Sequence, residues 1–147
     1  MAIRFATFED LDQIMALYKH LIPNDLEMDE KRLKTVWQEI MGKNDTYRYI
    51  VAEENGELLS TCNIAIVPNL TRSARPYAVI ENVITHPNAR QKGLGRGTIE
   101  FALDYAKQQG CYKVMLLSGS HRTEAHQFYE RLGFNGSKKR GFVIEYL

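Results

Sequence analysis

The residues best suited to chemistry lie in a short turn that carries two cations and two glycines. From Arg90 to Gly95 it reads Arg-Gln-Lys-Gly-Leu-Gly. An apolar, β-branched run ends at Ile84 just before it, and a helical spacing of apolar residues begins at Leu94. The first N–H groups of a helix have no intrahelical partner, and the helix dipole attracts anions to that end. Glycines let an anion approach the backbone closely, so the turn predicts a pyrophosphate site.

The turn completes neither of the two common glycine-rich nucleotide patterns. The chain has no Gly-x-x-x-x-Gly-Lys-Ser/Thr loop and no Gly-x-Gly-x-x-Gly fingerprint. The alternative interpretation is an ordinary helix N-terminus with solvated cations, and the six residues in isolation favour that alternative. The rest of the chain has to decide between the two.

Length and composition indicate an ordinary soluble domain. The 147 residues are 44% hydrophobic and 25% charged, with a formal net charge of +1. A single domain over residues 1–147 is expected, and the near-neutral charge favours neither nucleic acid nor a membrane as partner. No apolar run approaches a membrane span, and the N-terminus lacks the apolar core of a signal peptide. Cys62 and Cys111 form no disulfide or metal pattern, so we expect buried thiols, no metal and a cytoplasmic location.

The order of apolar patterns predicts an α/β layered domain with a mixed sheet and helices on both faces. Helices are expected to begin after Thr7 and Asp29, and Asn55-Gly56 between two apolar runs predicts a β-hairpin. The predicted strands are 3–6, 47–54, 57–66, 79–84, 113–118 and a closing strand at 142–147, and the later helices run from 94 to about 110 and over 125–132.

A second distinctive segment runs from Ala125 to Phe134 as Ala-His-Gln-Phe-Tyr-Glu-Arg-Leu-Gly-Phe. Together, Arg90-x-x-Gly93-x-Gly95 and this Ala-x-x-Phe-Tyr-x-x-x-Gly-Phe pattern resemble the two signatures of the GCN5-related N-acetyltransferases, the GNAT family. The two occur in the right order and are separated by the expected strand. The resemblance implies the GNAT fold, a mixed, mostly antiparallel central sheet of six to seven strands flanked by helices on both faces.

The resemblance also implies an activity, which is acetyl transfer from acetyl-CoA to a primary amine of a small molecule or peptide, by direct attack in a ternary complex. In the family the pantetheine arm of coenzyme A pairs with the central strand, which places Val83, Ile84 and Thr85 beside it. A backbone N–H near Ile84 would then be the oxyanion donor. The residues that the resemblance assigns to the pyrophosphate are Arg90, Gln91, Lys92, Gly93, Leu94 and Gly95.

Two residues are predicted to be catalytic. Tyr129 occupies the family's usual general-acid position, and a phenol with an unperturbed pKa of about 10 can protonate a departing thiolate. Glu81 is expected on the same face of the strand as Val83 and Thr85, where a carboxylate could act as general base. The alternatives are a core aromatic for Tyr129 and an exposed or salt-bridged glutamate for Glu81.

One position departs from the family pattern. An asparagine commonly stands three residues before the alanine of the second signature and contacts the cofactor, whereas this chain has Arg122. Arg122 is expected to reach a cofactor phosphate, and an acidic substrate or a loop cap are the alternatives. His121 and His126 are the other candidates for the base, although a surface role explains each of them more simply.

Two other functions stay open on sequence grounds. One is a noncatalytic acyl-CoA-binding or regulatory module, and the other is an acetyltransferase directed at a protein or a tRNA. Short segments, Glu81–Ile84 and Cys111–Val114, are similar to glucosamine-6-phosphate N-acetyltransferases, which gives a hint about the acceptor. The closing strand at 142–147 offers an edge through which two subunits could pair, so a homodimer is a further expectation.

Overall fold

The computed structural model describes residues 1–43 and 45–147. The backbone forms two compact units, Met1–Met115 and Leu116–Leu147. The strands of the first unit are β1 Ala2–Phe5, β2 Tyr47–Glu54, β3 Glu57–Val67, β4 Tyr77–Thr85 and β5 Val114–Met115. They lie side by side in that order, antiparallel except for the parallel pair β4 and β5. The prediction of a single domain over residues 1–147 stays a prediction.

Helices cover both faces of this sheet. They are α1 Leu11–Leu21, α2 Glu30–Gly42 and α3 Leu94–Gln108. Ile14 of α1 and Trp37 of α2 share a buried cluster with Val51 of β2, whereas Leu94 of α3 packs with Ala52. Val51 and Ala52 are neighbours on one strand, so their side chains point to opposite faces. The predicted α/β layering is therefore confirmed.

Side-chain bonds mark the starts predicted after Thr7 and Asp29, where a 3₁₀ turn at Phe8–Asp10 leads into α1 and where α2 begins. The Thr7 N–H donates to Asp10 Oδ2 at 2.7 Å, and the Arg4 guanidinium donates to the same carboxylate at 2.7 Å. Asp29 accepts a hydrogen bond from the Arg32 N–H at 3.1 Å, which caps α2. These contacts confirm the predicted helix starts.

Short turns connect the remaining elements. Asn55 and Gly56 have φ of 53° and 79°, which is the backbone that a type I′ hairpin turn requires and confirms the hairpin. Single 3₁₀ turns span Phe8–Asp10 and Pro87–Ala89. The segment Thr71–Ala74 forms a turn with φ near +60° from Arg72 onward, which is left-handed backbone.

The central strand β4 contains a bulge that the sequence analysis does not predict. The register of β3 against β4 shifts between Thr61 and Asn63, so Cys62 lies opposite two residues of β4, Asn82 and Val83. Asn82 has a φ of 54°, in the left-handed region that asparagine adopts more readily than most residues. An extra residue in a strand reverses which face later side chains point to.

The sheet has five strands among the described residues, fewer than the six to seven expected. The parallel strand covers only Val114–Met115, and residues 142–147 form no strand. Their side chains are exposed, Phe142 at 88% and Tyr146 at 94%. The alternating apolar pattern supplies β propensity, but a strand also needs a neighbouring backbone to pair with.

The second unit contains one helix, α4 Thr123–Arg131, which matches the predicted helix with slightly earlier bounds. Gly133 follows it with a φ of 102°, as a glycine C-cap requires. Tyr129 is buried within α4, and its ring centroid lies 5.2 Å from that of Phe128 and 5.9 Å from that of Phe134.

Candidate active site

The predicted phosphate turn is an uncapped helix N-terminus. Gly93 is the residue before α3, with a φ of 78° and no side chain to cap the helix. The first intrahelical bond runs from the Gly97 N–H to the Gly93 carbonyl at 2.9 Å. The N–H groups of Leu94, Gly95 and Arg96 precede that bond, so they have no intrahelical acceptor. These donors and the dipole of a 15-residue helix suit an anion.

The side chains of the turn divide into exposed charges and a buried anchor. Arg90, Gln91 and Lys92 are exposed, and Gln91 has a φ of 65°. Leu94 is only 2% exposed and packs against Ala89 and Ala52. Leu94 can therefore contact a ligand only through its backbone N–H. The two cations beside uncapped N–H groups fit the pyrophosphate of coenzyme A.

Two further contacts hold this turn in place. His86 Nδ1 accepts the Asn88 N–H at 3.1 Å, which caps the 3₁₀ turn at the start of the segment. A Cβ at Gly97 would collide with Ile3 Cδ1, so glycine there lets α3 approach β1 closely. The sheet thus fixes the position of the helix N-terminus.

The other part of the site is an open edge of β4. On the β5 side the parallel ladder covers only Ala78 and Val79, and no described strand pairs with β4 beyond that point. The His86 N–H donates to the Leu59 carbonyl at 2.7 Å, so the backbone of His86 faces β3. Backbone directions alternate along a strand, so the N–H of Thr85 points away from β3, toward the open edge.

The three residues predicted to lie beside the pantetheine arm differ in their surroundings. The Ile84 carbonyl accepts a bond from Ser60 Oγ at 3.2 Å, and its side chain is in the core with α1 and α2. By alternation, Val83 and Thr85 share the opposite orientation, with N–H groups toward the open edge. An extended ligand chain along β4 would therefore meet the N–H groups of Val83 and Thr85, while Ile84 anchors the strand.

The expectation that Glu81 shares a face with Val83 and Thr85 is wrong. Glu81 is paired with Asn63, on the face covered by α1 and α2. Thr85 is paired with Ser60, on the face covered by α3. The bulge at Asn82 lies between them and reverses the alternation.

A row of polar side chains crosses three strands on the Glu81 face. Tyr49, Asn63 and Glu81 are consecutive cross-strand neighbours on β2, β3 and β4. Asn63 Nδ2 donates to Tyr49 Oη at 3.4 Å. Burial raises the pKa of Tyr18 of α1, as does the neighbouring Tyr49 hydroxyl, and burial also raises the pKa of Tyr49. Both phenols are therefore neutral at physiological pH, whereas Glu81 is exposed.

The second unit holds the other predicted site residues. Tyr129 lies within α4, stacked edge to face with Phe128 and Phe134. Arg122 is exposed at the N-cap of α4, and its carbonyl accepts the His126 N–H at 3.1 Å. His126 Nε2 lies 2.8 Å from the Gly119 carbonyl, which ties that histidine to its own loop.

The two cysteines are free thiols, and neither has a lowered pKa. Burial raises the pKa of Cys62 to about 12, and its Sγ lies 3.7 Å from the Thr98 carbonyl. Burial also raises the pKa of Cys111. A protonated thiol is a poor nucleophile, so the interpretation of Cys62 as a buried small side chain is confirmed, whereas Cys111 is only half-buried and the expectation of a buried thiol there is wrong.

Neither Tyr49 and Asn63 nor the bulge at Asn82 is predicted by a motif in the sequence. The one available indication was the presence of two asparagines inside apolar strands, where asparagine is uncommon. Over the described ranges 1–43 and 45–147, no three His, Cys, Asp or Glu side chains converge as a metal site would need. No helix in those ranges has the length and apolarity to cross a membrane.

Comparison with known proteins places this geometry in a family. The chain is similar to a glucosamine 6-phosphate N-acetyltransferase of Trypanosoma brucei brucei, 32% identical over 88 residues, which are 60% of this chain and 58% of that relative. The chain therefore spans less than two thirds of that relative. It is also similar to the aminoalkylphosphonate N-acetyltransferase of Salmonella typhimurium (strain LT2), 28% identical over 138 residues, which are 94% of this chain and 87% of the relative.

A solved structure of an Agrobacterium tumefaciens str. C58 protein is 40% identical and superimposes with a TM-score of 0.92, covering 99% of this chain and 100% of the other. The family model described as "Acetyltransferase (GNAT) family" matches residues 11–134, most of the chain, including both signatures. Fold, signatures and family match agree, and the chain belongs to the Acetyltransferase (GNAT) family.

Proposed function

We propose that the protein is an acetyl-CoA-dependent N-acetyltransferase that acetylates a primary amine of a small molecule or peptide, by direct attack within a ternary complex. The observation that carries this proposal is the continuity of β4 with the turn after it. A single segment supplies an open strand edge at Val83 and Thr85 and then an uncapped helix N-terminus at Gly93. These are the two features that an extended pantetheine arm ending in a pyrophosphate requires.

Backbone donors and two cations would hold the cofactor. The side chains of Arg90 and Lys92 and the N–H groups of Leu94, Gly95 and Arg96 would hold the pyrophosphate, with Gln91 shaping the turn through its positive φ. When bound, acetyl-CoA supplies the acetyl group as an activated thioester. The N–H of Val83 or Thr85, at the open edge, would donate to the thioester carbonyl oxygen and stabilise the negative charge that develops on it.

Two side chains would move protons. The Glu81 carboxylate takes the proton of the acceptor's ammonium group, directly or through a water molecule, so that the amine can attack. Tyr129 donates its phenolic proton to the departing sulfur. Arg122, which is exposed at the start of α4, contributes a cation for a cofactor phosphate.

The names of the relatives suggest an acceptor class. Glucosamine 6-phosphate and the aminoalkylphosphonates share a primary amine and a phosphorus oxyanion on a small skeleton. A small phosphorylated or phosphonylated amine is therefore the acceptor we propose to test first. We propose a cytoplasmic location on the basis of the two free thiols.

A second copy of the chain is the macromolecular partner that we propose. The exposed apolar residues at 142–147 would be covered by pairing across two subunits, and an exposed apolar strand is otherwise an aggregation hazard. Light scattering coupled to size exclusion should give twice the chain mass for the full protein, and the monomer mass when residues 142–147 are deleted. A monomer for the full protein would contradict this proposal.

The activity is tested by thiol release from acetyl-CoA with pools of amines. The pools hold phosphorylated amines, amino sugars, aminoglycosides, polyamines, amino acids and short peptides. We expect at least one pool to turn over, with the acetylated amine identified by mass spectrometry. Binding of acetyl-CoA without turnover in any pool would instead support a noncatalytic module or a macromolecular acceptor. If no pool releases thiol and the protein does not bind acetyl-CoA, the cofactor assignment is overturned as well.

A further inference from the structure

Two buried polar atoms of the first unit have no hydrogen-bond partner among the described residues. They are Tyr18 Oη and Asn63 Oδ1, and a third such atom, Ser118 Oγ, belongs to the second unit. Native proteins pair nearly all buried polar atoms, because an unpaired one loses its bonds to water without replacement. Exceptions therefore need a reason, and a ligand that completes the bonds is a common one.

Both atoms belong to one polar row on the α1 and α2 face of the sheet. Asn63 lies between Tyr49 and Glu81 in the cross-strand register. The Asn63 amide uses only one end, Nδ2, in a long 3.4 Å bond to Tyr49. Turning the amide by 180° would exchange its nitrogen and oxygen, so one end would face away from Tyr49 in either orientation. In the register of the sheet, Glu81 of β4 is the neighbour of Asn63 on the side opposite Tyr49.

The side chains of the row suit a ligand group that donates hydrogen bonds and carries a positive charge. Glu81 is an acceptor with negative charge, the amide oxygen of Asn63 is a neutral acceptor, and the raised pKa values keep Tyr18 and Tyr49 neutral. The four side chains include no cation. A primary ammonium group has three N–H donors and a single positive charge, and it matches this set.

The row also meets β4 at the right place. Glu81 directly precedes the bulge at Asn82, and the open edge at Val83 and Thr85 directly follows it. A ligand that contacts Glu81 would therefore lie next to the segment of β4 that we assign to the thioester. A cavity of about 400 Å³ beside α1 has Tyr18 and Lys19 in its lining, and it does not extend to the other three residues of the row.

We propose that Tyr18, Tyr49 and Asn63, together with Glu81, form the subsite that receives the acceptor's primary ammonium group. The inference rests on the proposed acetyltransferase function and adds three residues that the family signatures do not assign. Asn63 and Tyr18 hold and orient the ammonium group through neutral acceptors, and Glu81 then removes its proton. The proton ends on the carboxylate, and the free amine electron pair becomes available for attack.

The unpaired Tyr18 hydroxyl gives a test that a purely structural role would fail. Tyr18→Phe removes a buried hydroxyl that has no hydrogen-bond partner of good geometry and only interacts with the neighbouring Tyr49 hydroxyl, so the variant should melt close to the temperature of wild type. The same variant should bind an amine less tightly. Tyr47→Phe is the matched control, since Tyr47 lies two residues before Tyr49 on the same strand and is exposed.

The experiment measures melting temperature and steady-state kinetics with two probes, glucosamine 6-phosphate and 2-aminoethylphosphonate. At least one probe should raise the melting temperature of wild type, and glucose 6-phosphate, which lacks the amine, should raise it less. In Tyr18→Phe and Asn63→Ala the KM for the amine should rise about five- to tenfold, as loss of one hydrogen bond predicts, with the KM for acetyl-CoA unchanged. Tyr47→Phe should match wild type in every measurement.

The outcomes separate this inference from the proposed function. Wild type that acetylates a probe, together with unchanged amine KM in both Tyr18→Phe and Asn63→Ala, overturns the subsite and leaves the acetyltransferase function intact. A wild type whose melting temperature responds to neither amine also overturns the subsite. Failure of wild type to bind acetyl-CoA, with an amine-dependent rise in melting temperature lost in both variants, overturns the proposed function and supports the subsite.

Discussion

The two sides of the bulge at Asn82 present different chemical groups to the ligands that we propose for them. After the bulge, the open edge of β4 and the uncapped start of α3 present backbone N–H groups, with exposed cations around them. Before the bulge, a polar row from three strands and α1 presents side chains, two of them with buried unpaired atoms. One region is built from main chain within a single segment, and the other from side chains that are distant in sequence.

This difference explains what each region can specify. Backbone donors and flexible cations fit any coenzyme A thioester, so they define the cofactor class and little else. Buried side chains that lack partners discriminate strongly, because a ligand without the matching group leaves them unpaired. We therefore expect substitutions on the two sides of the bulge to affect the binding of different substrates.

The largest effect is expected from a change outside both regions. Tyr129→Phe removes the proposed acid but keeps the ring that packs against Phe128 and Phe134. We expect kcat to fall by about a hundredfold, or about 2.7 kcal/mol in the barrier, with both KM values nearly unchanged. Thiol-release kinetics measure this, with the exposed Tyr146→Phe as control. A variant with wild-type kcat would remove Tyr129 from the mechanism.

The next effect concerns the start of α1, which carries Tyr18. Burial alone would raise the pKa of Asp10, but bonds from Arg4 and Thr7 lower it below its ordinary value of 3.8. A lowered folded pKa gives stability that is present above about pH 4 and is lost as the pH falls further.

Asp10→Asn should therefore lower the free energy of unfolding by about 1–3 kcal/mol at pH 7, because a buried acceptor for Arg4 loses its charge. The difference in the free energy of unfolding between Asp10→Asn and wild type should become smaller below pH 4, because Asp10 of wild type becomes protonated there. Urea unfolding at pH 7 and pH 3 measures both values. An equal difference at the two pH values would contradict this assignment.

Asn82 tests the bulge that divides the regions. At a φ of 54° a β-branched residue is strained, so Asn82→Val should lower the free energy of unfolding by about 1–2 kcal/mol. It should also weaken the binding of both substrates. Asn82→Gly adopts the same backbone freely and is the control, expected to stay within about 0.5 kcal/mol of wild type. Thermal unfolding measures the stability of both variants and of wild type. Equal stability of both would show that the backbone at Asn82 is not constrained.

The smallest effect is expected from one exposed cation of the turn. Lys92→Ala should raise the KM for acetyl-CoA about three- to fivefold at low salt, and less at high salt, because exposed charges are screened. Lys107→Ala, in the last turn of α3, is the matched control, since that position is at the opposite end of the helix. No difference between the two variants would remove Lys92 from the cofactor site.

The comparison also explains how far the sequence could predict the site. The backbone of the turn proposed for the cofactor was predictable, because one segment carries its glycines, cations and helix start and local physics determines its conformation. The polar row was not predictable, because Tyr18, Tyr49 and Asn63 meet only after the strands pair. The face of Glu81 was predicted wrongly, since strict alternation fails wherever a strand gains one residue.

The elements of the fold followed their sequence patterns except at the end of the chain. Helix caps at Asp10 and Asp29 and the Asn55-Gly56 turn are local features, and each confirmed its prediction. The closing strand at 142–147 had the right apolar pattern, but strand formation depends on a partner that the pattern cannot supply.

The most direct test of the account measures both KM values for Asn63→Ala and Lys92→Ala in one assay, with the best acceptor from the amine pools. The account predicts that Asn63→Ala raises only the KM for the amine and that Lys92→Ala raises only the KM for acetyl-CoA. If both variants raise the two KM values equally, or if the pattern is reversed, the division of the site at Asn82 is wrong.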